Sequence, residues 1–173
     1  MKVKIFVVLC AVLLAGNLLA GDGSHAAKSQ MNVGGYNLAL GITSWGSGDL
    51  PMPGGKVRDL TIDAQCITTS TGPAADLLNS FAGPVIMNAN LDENMVGPVW
   101  MTFEWSKVGG FTWAGTCNGQ YDFALGAGSW KCEGNIQGPG LRHVEVKNYT
   151  VFPGPSDNPI GPFFGTVSGL PED

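Results

Sequence analysis

Histidine is scarce in this 173-residue chain, which contains only His25 and His143. Imidazole metal sites and Ser-His-Asp or Cys-His catalysis would therefore depend on His143, since His25 precedes the predicted domain. The neighbours of His143, which are Glu145 and Lys147, suit an ordinary cluster of charges on the surface as well as they suit a catalytic site. The chain also contains no GxSxG, HExxH, phosphate-binding glycine loop or dinucleotide fingerprint. We therefore expect no metal and no cofactor, and we favour a protein that is not an enzyme.

Charged residues are also few, at 13% of the chain against about 25% in an average domain. Acidic residues outnumber basic ones, and the formal net charge is −5. Proteins that bind nucleic acid or anionic membrane surfaces usually present patches of Lys and Arg. The composition therefore argues against both kinds of partner.

Long apolar runs are missing after the first twenty residues. Lys2 and Lys4 precede an apolar run at 5–14 that is short for a membrane span, and small residues follow. This pattern predicts a secretory signal peptide over residues 1–20, with cleavage after Ala20 or as late as Ala27. We therefore expect an extracellular protein with no transmembrane anchor. Without Lys2 and Lys4, seven basic residues face fourteen acidic ones, a net charge of −7.

Cysteine is limited to four residues, and Cys10 lies within the predicted signal peptide. An exported chain permits disulfides, and Cys117 and Cys132 flank a predicted hairpin, so we predict that they pair. Closing a loop of that length is worth about 3 kcal/mol in the chain-entropy model. Cys66 would then be a buried free thiol, while an intermolecular disulfide or another pairing of the three remains open.

What the chain does contain is aromatic residues in alternating patterns. The segment 98–132 holds eight of the sixteen aromatic side chains. Met101, Phe103 and Trp105 share one face of a predicted strand, which we assign to the core, while Trp100 and Glu104 share the other. Similar alternation recurs at 57–68 and 141–152, separated by glycine-rich turns. The pattern predicts an all-β fold over residues 36–170, after a flexible lead-in at 21–35.

The predicted fold is a single antiparallel β-sandwich or closed barrel of roughly seven to nine strands with one short helix. The helix candidate lies within 70–83, where Pro73 suits a first turn and Asp76 complements the helix dipole. Residues 74–81 place Ala74, Leu77, Leu78 and Phe81 on one stripe. We consider two roles for this helix, a plain cap on the β domain or a cover over an apolar cavity.

Three functional hypotheses follow from these residues. The first is extracellular recognition of a carbohydrate or a protein through exposed aromatic and acidic side chains, for which the candidates are Trp45, Trp100, Glu104 and Asp122. The second is transport of a lipid or other apolar ligand in a cavity under the 74–81 helix. The third is a small secreted hydrolase that uses Glu104 with Asp122, or His143.

One modification motif is present. Asn148-Tyr149-Thr150 is an N-glycosylation sequon, which matters only in a eukaryotic host. In an unbroken strand, however, Asn148 shares a face with the apolar Val146. We therefore predict weak or no glycan occupancy at Asn148.

Overall fold

Eight strands follow one another along the described part of the chain, and each pairs antiparallel with its neighbours in sequence. The structure is a computed structural model that describes residues 29–155 and 158–170, so the predicted signal peptide and its cleavage site lie outside the described residues. The elements are β1 (Gln30–Ser44), β2 (Lys56–Thr68), α1 (Pro73–Leu78), β3 (Ala82–Asn90), β4 (Val96–Lys107), β5 (Phe111–Asp122), β6 (Ala127–Gln137), β7 (Val144–Pro153) and β8 (Ile160–Ser168).

The sheet closes on itself because β1 pairs with β8 as well as with β2. The β1–β8 ladder runs from Gln30 opposite Ser168 to Leu38 opposite Ile160. Closure gives each of the described strands a partner on both sides, which is how up-and-down barrels avoid edge-to-edge association. The all-β prediction is confirmed, and of the two predicted architectures the protein adopts the closed barrel.

Strand alternation divides each strand into an inner and an outer face. Along β4, Val99, Met101, Phe103 and Trp105 are buried, while the residues between them are exposed. A period of two is what a barrel with a packed interior and a solvated exterior requires. The assignment of the Met101, Phe103 and Trp105 face to the core is confirmed.

The strand bounds extend further toward the amino terminus than the sequence indicated. β1 begins at Gln30, inside the segment 21–35 that the sequence predicts to be a flexible lead-in. Gln30 and Asn32 are exposed, whereas Val33 is buried in the barrel. Residues 30–33 do alternate between outward and inward positions, but Gly34 and Gly35 directly after them obscure this pattern in the sequence.

The two ends of the barrel are built differently. At one, here called the helix end, α1 and the turns at 108–110 and 138–143 connect the strands. At the other, here called the loop end, the connections include 45–55, 91–95 and 123–126. Backbone hydrogen bonds join the loops there, from Gly54 N to Asp92 O at 2.8 Å and from Phe123 N to Met95 O at 3.0 Å.

Helix α1 is shorter than the predicted stripe, because the chain turns extended at Asn79 and left-handed at Ser80. Pro73 occupies its first turn as predicted, and Ala74, Ala75 and Leu78 are buried against the barrel. In the described part of the chain, no helix is long and apolar enough to cross a membrane.

One lysine attaches this helix to the barrel. Lys107 Nζ donates hydrogen bonds to the carbonyl oxygens of Asp76, Leu77 and Asn79 at 2.9, 2.8 and 3.2 Å. A cation at the carboxyl end of a helix satisfies carbonyls that lack helical partners and complements the helix dipole. Burial lowers the pKa of Lys107, and Asp76 partly opposes this shift.

Candidate ligand-binding cavity

Three aromatic rings form a layer across the barrel near the helix end, here called the aromatic floor: Phe103, Trp105 and Trp113. Their ring centroids lie 5.2–5.4 Å apart, and Trp113 meets both of the others edge to face. Phe81, which follows α1, packs edge to face on Trp113 at 5.8 Å from the helix side. The floor therefore separates the helix from the rest of the interior.

A glycine makes room for this packing. Gly115 lies on the inner face of β5 between Trp113 and Cys117, and a Cβ at this position would lie 2.8 Å from Phe103 Cζ. A Cβ there would come still closer to the backbone oxygen of Glu133 on the paired strand β6, so any larger residue would have to displace that backbone as well as the Phe103 ring.

Beyond the floor, toward the loop end, the interior contains a cavity of about 120 Å³. Eight strands enclose a space that side chains just fill or that holds one small ligand. The cavity is lined by inner-face residues of seven strands: Asn37, Ala39, Ile62, Ala64, Val85, Met87, Met101, Phe103, Trp105, Trp113, Cys117, Tyr121, Trp130, Cys132, Asn148 and Phe152.

Small side chains on one wall leave the space open. Ala39 of β1 and Ala64 of β2 are directly paired across the sheet and both line the cavity. The opposite wall carries large rings, with Trp130 and Phe152 stacked at 5.2 Å and Tyr121 next to them at 6.1 Å from Trp130. The cavity exists because two alanines, rather than large apolar residues, face these rings.

The disulfide lies in the cavity wall. Cys117 and Cys132 are directly opposite each other on β5 and β6, with Cα atoms 4.0 Å apart, and both are buried. The predicted pairing is confirmed. Among the described residues Cys66 has no disulfide partner and is fully buried. Burial raises the pKa of the Cys66 thiol to about 12, although Lys107 opposes the shift, so this thiol is protonated and inert at neutral pH.

A short polar chain crosses one side of the cavity. Asn37 Nδ2 donates to Thr150 Oγ1 at 3.2 Å, and the Thr150 hydroxyl donates to Asn148 Oδ1 at 3.2 Å. Asn148 is only 9% exposed, and Thr150 is fully buried. The sequon asparagine therefore faces the barrel interior, where the folded protein has no room for a glycan. Low occupancy of Asn148 stays a prediction, and its physical reason is now this burial.

Three polar atoms of the cavity-lining residues lack a hydrogen-bond partner in the part of the chain described: Asn37 Oδ1, Trp105 Nε1 and Trp113 Nε1. Buried polar atoms are nearly always paired with protein or water, because leaving one unpaired costs about 1–3 kcal/mol. Each of the three atoms has almost no accessible surface, so they lower the stability of the barrel interior and are not groups that an occupant of the cavity can reach.

The cavity is electrically neutral. None of the described residues that line it is Asp, Glu, Lys, Arg or His. Among the described lining residues Tyr121 is the one titratable side chain, since both cysteines are in the disulfide. Burial, with Asp122 nearby, raises the pKa of the Tyr121 phenol above its ordinary value, so its hydroxyl is uncharged at neutral pH.

The predicted surface residues lie elsewhere. Trp45 is 50% exposed in the 45–55 loop, and Trp100 is 37% exposed on the outer face of β4, with Glu104 on the same face. The Arg58 guanidinium lies 5.1 Å from the centre of the Trp100 ring. Trp100 and Glu104 thus share a surface, whereas Trp45 belongs to the loop end of the barrel.

Asp122 has a structural task at the end of β5. Its Oδ1 accepts hydrogen bonds from Ala124 N and Leu125 N, both at 2.9 Å, and so fixes the β5–β6 turn. Asp122 is paired with Val96, eight residues along β4 from Glu104. At about 3.3 Å per residue, that is about 26 Å, far beyond the roughly 10 Å limit for two glycosidase carboxylates. The structure does not bring the predicted acid pair together.

The remaining predicted features also fall outside the cavity. His143 is exposed in the 138–143 turn, and Lys147 pairs with Glu145 at 3.0 Å on the surface. No residue of the 74–81 segment lines the cavity, because the aromatic floor lies between them. Of the two roles considered for the helix, a cap on the β domain therefore agrees with the structure.

Sequence reasoning did not identify the residues that form the cavity. From the sequence we predict no role for Asn37 or Ala39, and for the 57–68 segment that contains Ala64 we predict only alternation. Alternation identified the inner faces correctly, but which inner residues meet across the barrel depends on closure. Comparison with known proteins finds no matching family model, no similar curated protein and no similar solved structure.

Proposed function

We propose that the protein binds a small apolar molecule, about the size of one aromatic ring, inside the barrel. The observation that carries this proposal is the cavity of about 120 Å³ with its largely apolar lining. An engineered protein cavity of about 150 Å³ that is lined by Leu, Ile and Phe stays dry and takes up benzene. A cavity of the present size suits a ligand of that class.

The energetics favour an occupied site. Empty interior volume lowers stability by about 24 cal/mol per Å³, so a void of 120 Å³ corresponds to about 3 kcal/mol. Replacing Ala39 or Ala64 by a larger apolar residue would fill this volume. Because alanines occupy both positions, the space remains open and a ligand can use it.

The cavity also limits the ligand. Pockets for drug-sized molecules measure about 300–1,000 Å³, several times the present volume. A long-chain lipid would therefore have to displace the aromatic floor or the Trp130 and Phe152 stack. The carrier hypothesis is accordingly narrowed here from lipids to compact molecules.

Titration with toluene tests the proposal, monitored by the NMR signals of the Trp105, Trp113 and Trp130 indoles and by thermal unfolding. We expect saturable shifts of these indole signals and a higher melting temperature, because a ligand that binds only the folded state stabilises it. Ligand-independent indole signals and an unchanged melting temperature would refute the proposal.

Recognition of a carbohydrate or protein through the outer surface is a second candidate. It is supported by the exposed ring of Trp100, which lies beside Arg58 and on the same face as Glu104, and by the exposed Trp45. Aromatic faces flanked by polar groups suit sugar stacking and interface anchoring. Glycan-array binding that is lost in Trp100→Ala or Trp45→Ala would support this function, and binding unaffected by either change would exclude these two residues.

Export is a proposal that the disulfide supports. The Cys117–Cys132 bond is of a kind that persists in oxidising compartments, and the amino-terminal pattern predicts a signal peptide. Mass spectrometry of the protein from its natural host should find a chain beginning between residues 21 and 28, with a mass lower by two hydrogen atoms for the disulfide. An intact amino terminus would contradict this proposal.

A further inference from the structure

One stretch of the barrel wall beside the cavity lacks a backbone ladder. β7 and β8 pair along the helix-end part of their length, and their last pair is Thr150 opposite Phe163. β7 stays paired with β6 to its last residue, and β8 is paired with β1 from its first. Residues 151–153 and 160–162 are therefore paired on one side only. The space between these two segments is here called the β7–β8 gap.

Two prolines lie where the ladder stops. Pro153 and Pro162 have no backbone N–H and cannot donate a ladder hydrogen bond, and for that reason proline is confined to the ends and edges of strands. The β4–β5 and β5–β6 ladders, by contrast, are continuous. Separating the strands of those ladders would break several backbone hydrogen bonds, whereas widening the β7–β8 gap breaks no ladder bond between the two strands.

A single aromatic ring closes the gap on its inner side. Phe152 lines the cavity, and its ring lies against the buried Gly161 on the other side of the gap. A Cβ at Gly161 would overlap this ring, with Phe152 Cζ at 2.6 Å and two ring carbons closer still. On its own side of the gap the ring stacks on Trp130 of β6 at 5.2 Å. A phenyl ring forms no strong hydrogen bond, so packing alone holds it in this position.

Phe152 also lies at the boundary of the interior. It is one of two cavity-lining rings that are only half-buried, and the other is Tyr121. The strand that carries Tyr121 has continuous ladders on both sides, so paired backbone surrounds that ring. Phe152 is therefore the cavity-lining ring that combines partial exposure with an unpaired strand edge.

From the gap and the ring that closes it, we propose that ligands enter and leave the cavity through the β7–β8 gap and that Phe152 controls this passage. This inference rests on the proposed function and concerns how the same site is reached. While the ring lies against Gly161, the passage is closed. When the ring leaves Gly161, an apolar molecule of single-ring size can pass between the two strands without any break in their ladder.

The test compares rates of binding, because Phe152 lines the cavity and its replacement changes the affinity as well. Toluene is the probe. NMR titration gives its dissociation constant, and NMR exchange spectroscopy gives its dissociation rate constant. The ratio of the dissociation rate constant to the dissociation constant is the association rate constant, which reports how easily the cavity is entered.

Two pairs of variants separate the passage from the rest of the cavity. Phe152→Leu is compared with Phe103→Leu, which makes the same change to a lining ring in the aromatic floor. Gly161→Ala, which displaces the Phe152 ring, is compared with Gly34→Ala, where the nearest atom to a new Cβ is a backbone oxygen at 3.8 Å. Neither glycine lines the cavity.

We expect Phe152→Leu and Gly161→Ala each to raise the association rate constant of toluene by about 10-fold or more, because a passage that is open in about a tenth of the molecules or fewer limits entry by that factor. Phe103→Leu and Gly34→Ala should stay within about threefold of the wild type, since they leave the open fraction unchanged. Gly161→Ala should also shift the Trp130 indole signal of the ligand-free protein, because the ring stacked on Trp130 moves. If Phe152→Leu fails to fold, Gly161→Ala decides the question.

The possible failures are distinguishable. If Gly161→Ala shifts the Trp130 indole signal but leaves the association rate constant unchanged, the ring has moved without effect on entry, so this inference is wrong and the proposed function stands. Equal acceleration in Phe152→Leu and Phe103→Leu would show that ligands enter by a general loosening of the barrel, which also overturns the inference. If toluene does not bind the wild type, the proposed function falls and this inference falls with it.

Discussion

Filling the cavity with a larger side chain tests both how much the empty space lowers stability and whether this space is the binding site. Ala64 is 7% exposed and lies in the wall formed by the two paired alanines. Replacing Ala64 by leucine adds three carbon atoms to a space of about 120 Å³. At about 0.8 kcal/mol per buried methylene, the gain is at most about 2.4 kcal/mol. Off-rotamer strain takes back about 1 kcal/mol or more, so we expect a net stabilisation of about 1 kcal/mol.

Urea unfolding followed by tryptophan fluorescence measures this change, and toluene titration of the same variant measures the remaining site. We expect Ala64→Leu to raise the urea midpoint at constant slope and to abolish toluene binding. The matched control is Ala114→Leu, which adds the same atoms on the exposed face of β5 and should change stability by less than about 0.5 kcal/mol.

Two results would refute the reasoning. If Ala64→Leu lowered the free energy of unfolding by more than about 1 kcal/mol, the wall could not accept leucine and the cavity would be smaller than about 120 Å³. Toluene binding that survives in Ala64→Leu at full affinity would place the binding site elsewhere. Ala39→Leu enters the same space from β1 and should give the same pattern, which guards against a local defect at Ala64.

Three further predictions concern stability. Replacing Cys117 and Cys132 by alanine should lower the free energy of unfolding by about 3 kcal/mol in urea titrations, since the bond closes a loop with a sequence separation of 15; a loss below about 1 kcal/mol would contradict the chain-entropy argument. Stability should fall as pH rises from 9 toward 12, by up to about 1.4 kcal/mol per pH unit, because the Cys66 thiol ionises near 9.0 when unfolded and near 12 when folded. Below pH 9 the stabilising contribution of the protonated Cys66 thiol is fully present. Cys66→Ala should remove the fall in stability that this thiol causes above pH 9, and identical alkaline stability profiles of the two proteins would rule out that cause. Lys107→Met should lower the free energy of unfolding by about 2 kcal/mol and speed amide hydrogen exchange in α1, since three carbonyl oxygens lose their donor. Unchanged exchange rates in the helix would show that Lys107 does not attach it to the barrel.

Local pattern was enough to predict much of the fold. The alternation at 100–105 identified the inner face of β4, and the spacing of Cys117 and Cys132 about a glycine turn identified the cross-strand disulfide. Both features depend on neighbours within one hairpin. Side-chain period and turn chemistry are properties of such short segments, and a sequence displays them directly.

The cavity could not be predicted in the same way. Its alanine wall belongs to β1 and β2, while its stacked rings belong to β6 and β7, and these strands face each other only after closure. Asp122 shows the same limit on a smaller scale. As a carboxylate near aromatic residues it suggested a ligand contact, but the backbone of the β5–β6 turn uses its Oδ1. The position of an acid relative to backbone N–H groups is not visible in a sequence.

The seam between β1 and β8 has a consequence for how the molecule acquires its shape. The first described strand, β1, can complete its pairing only when the last one, β8, is present, so the contact that closes the barrel spans nearly the whole chain. Contacts of such large sequence separation form slowly, because the loop entropy must be lost before they form. Until β8 arrives, the outer ladder of β1 is an open edge that another partly folded chain can join. During synthesis, the period between the emergence of β1 and that of β8 is therefore when this protein is most exposed to misassembly.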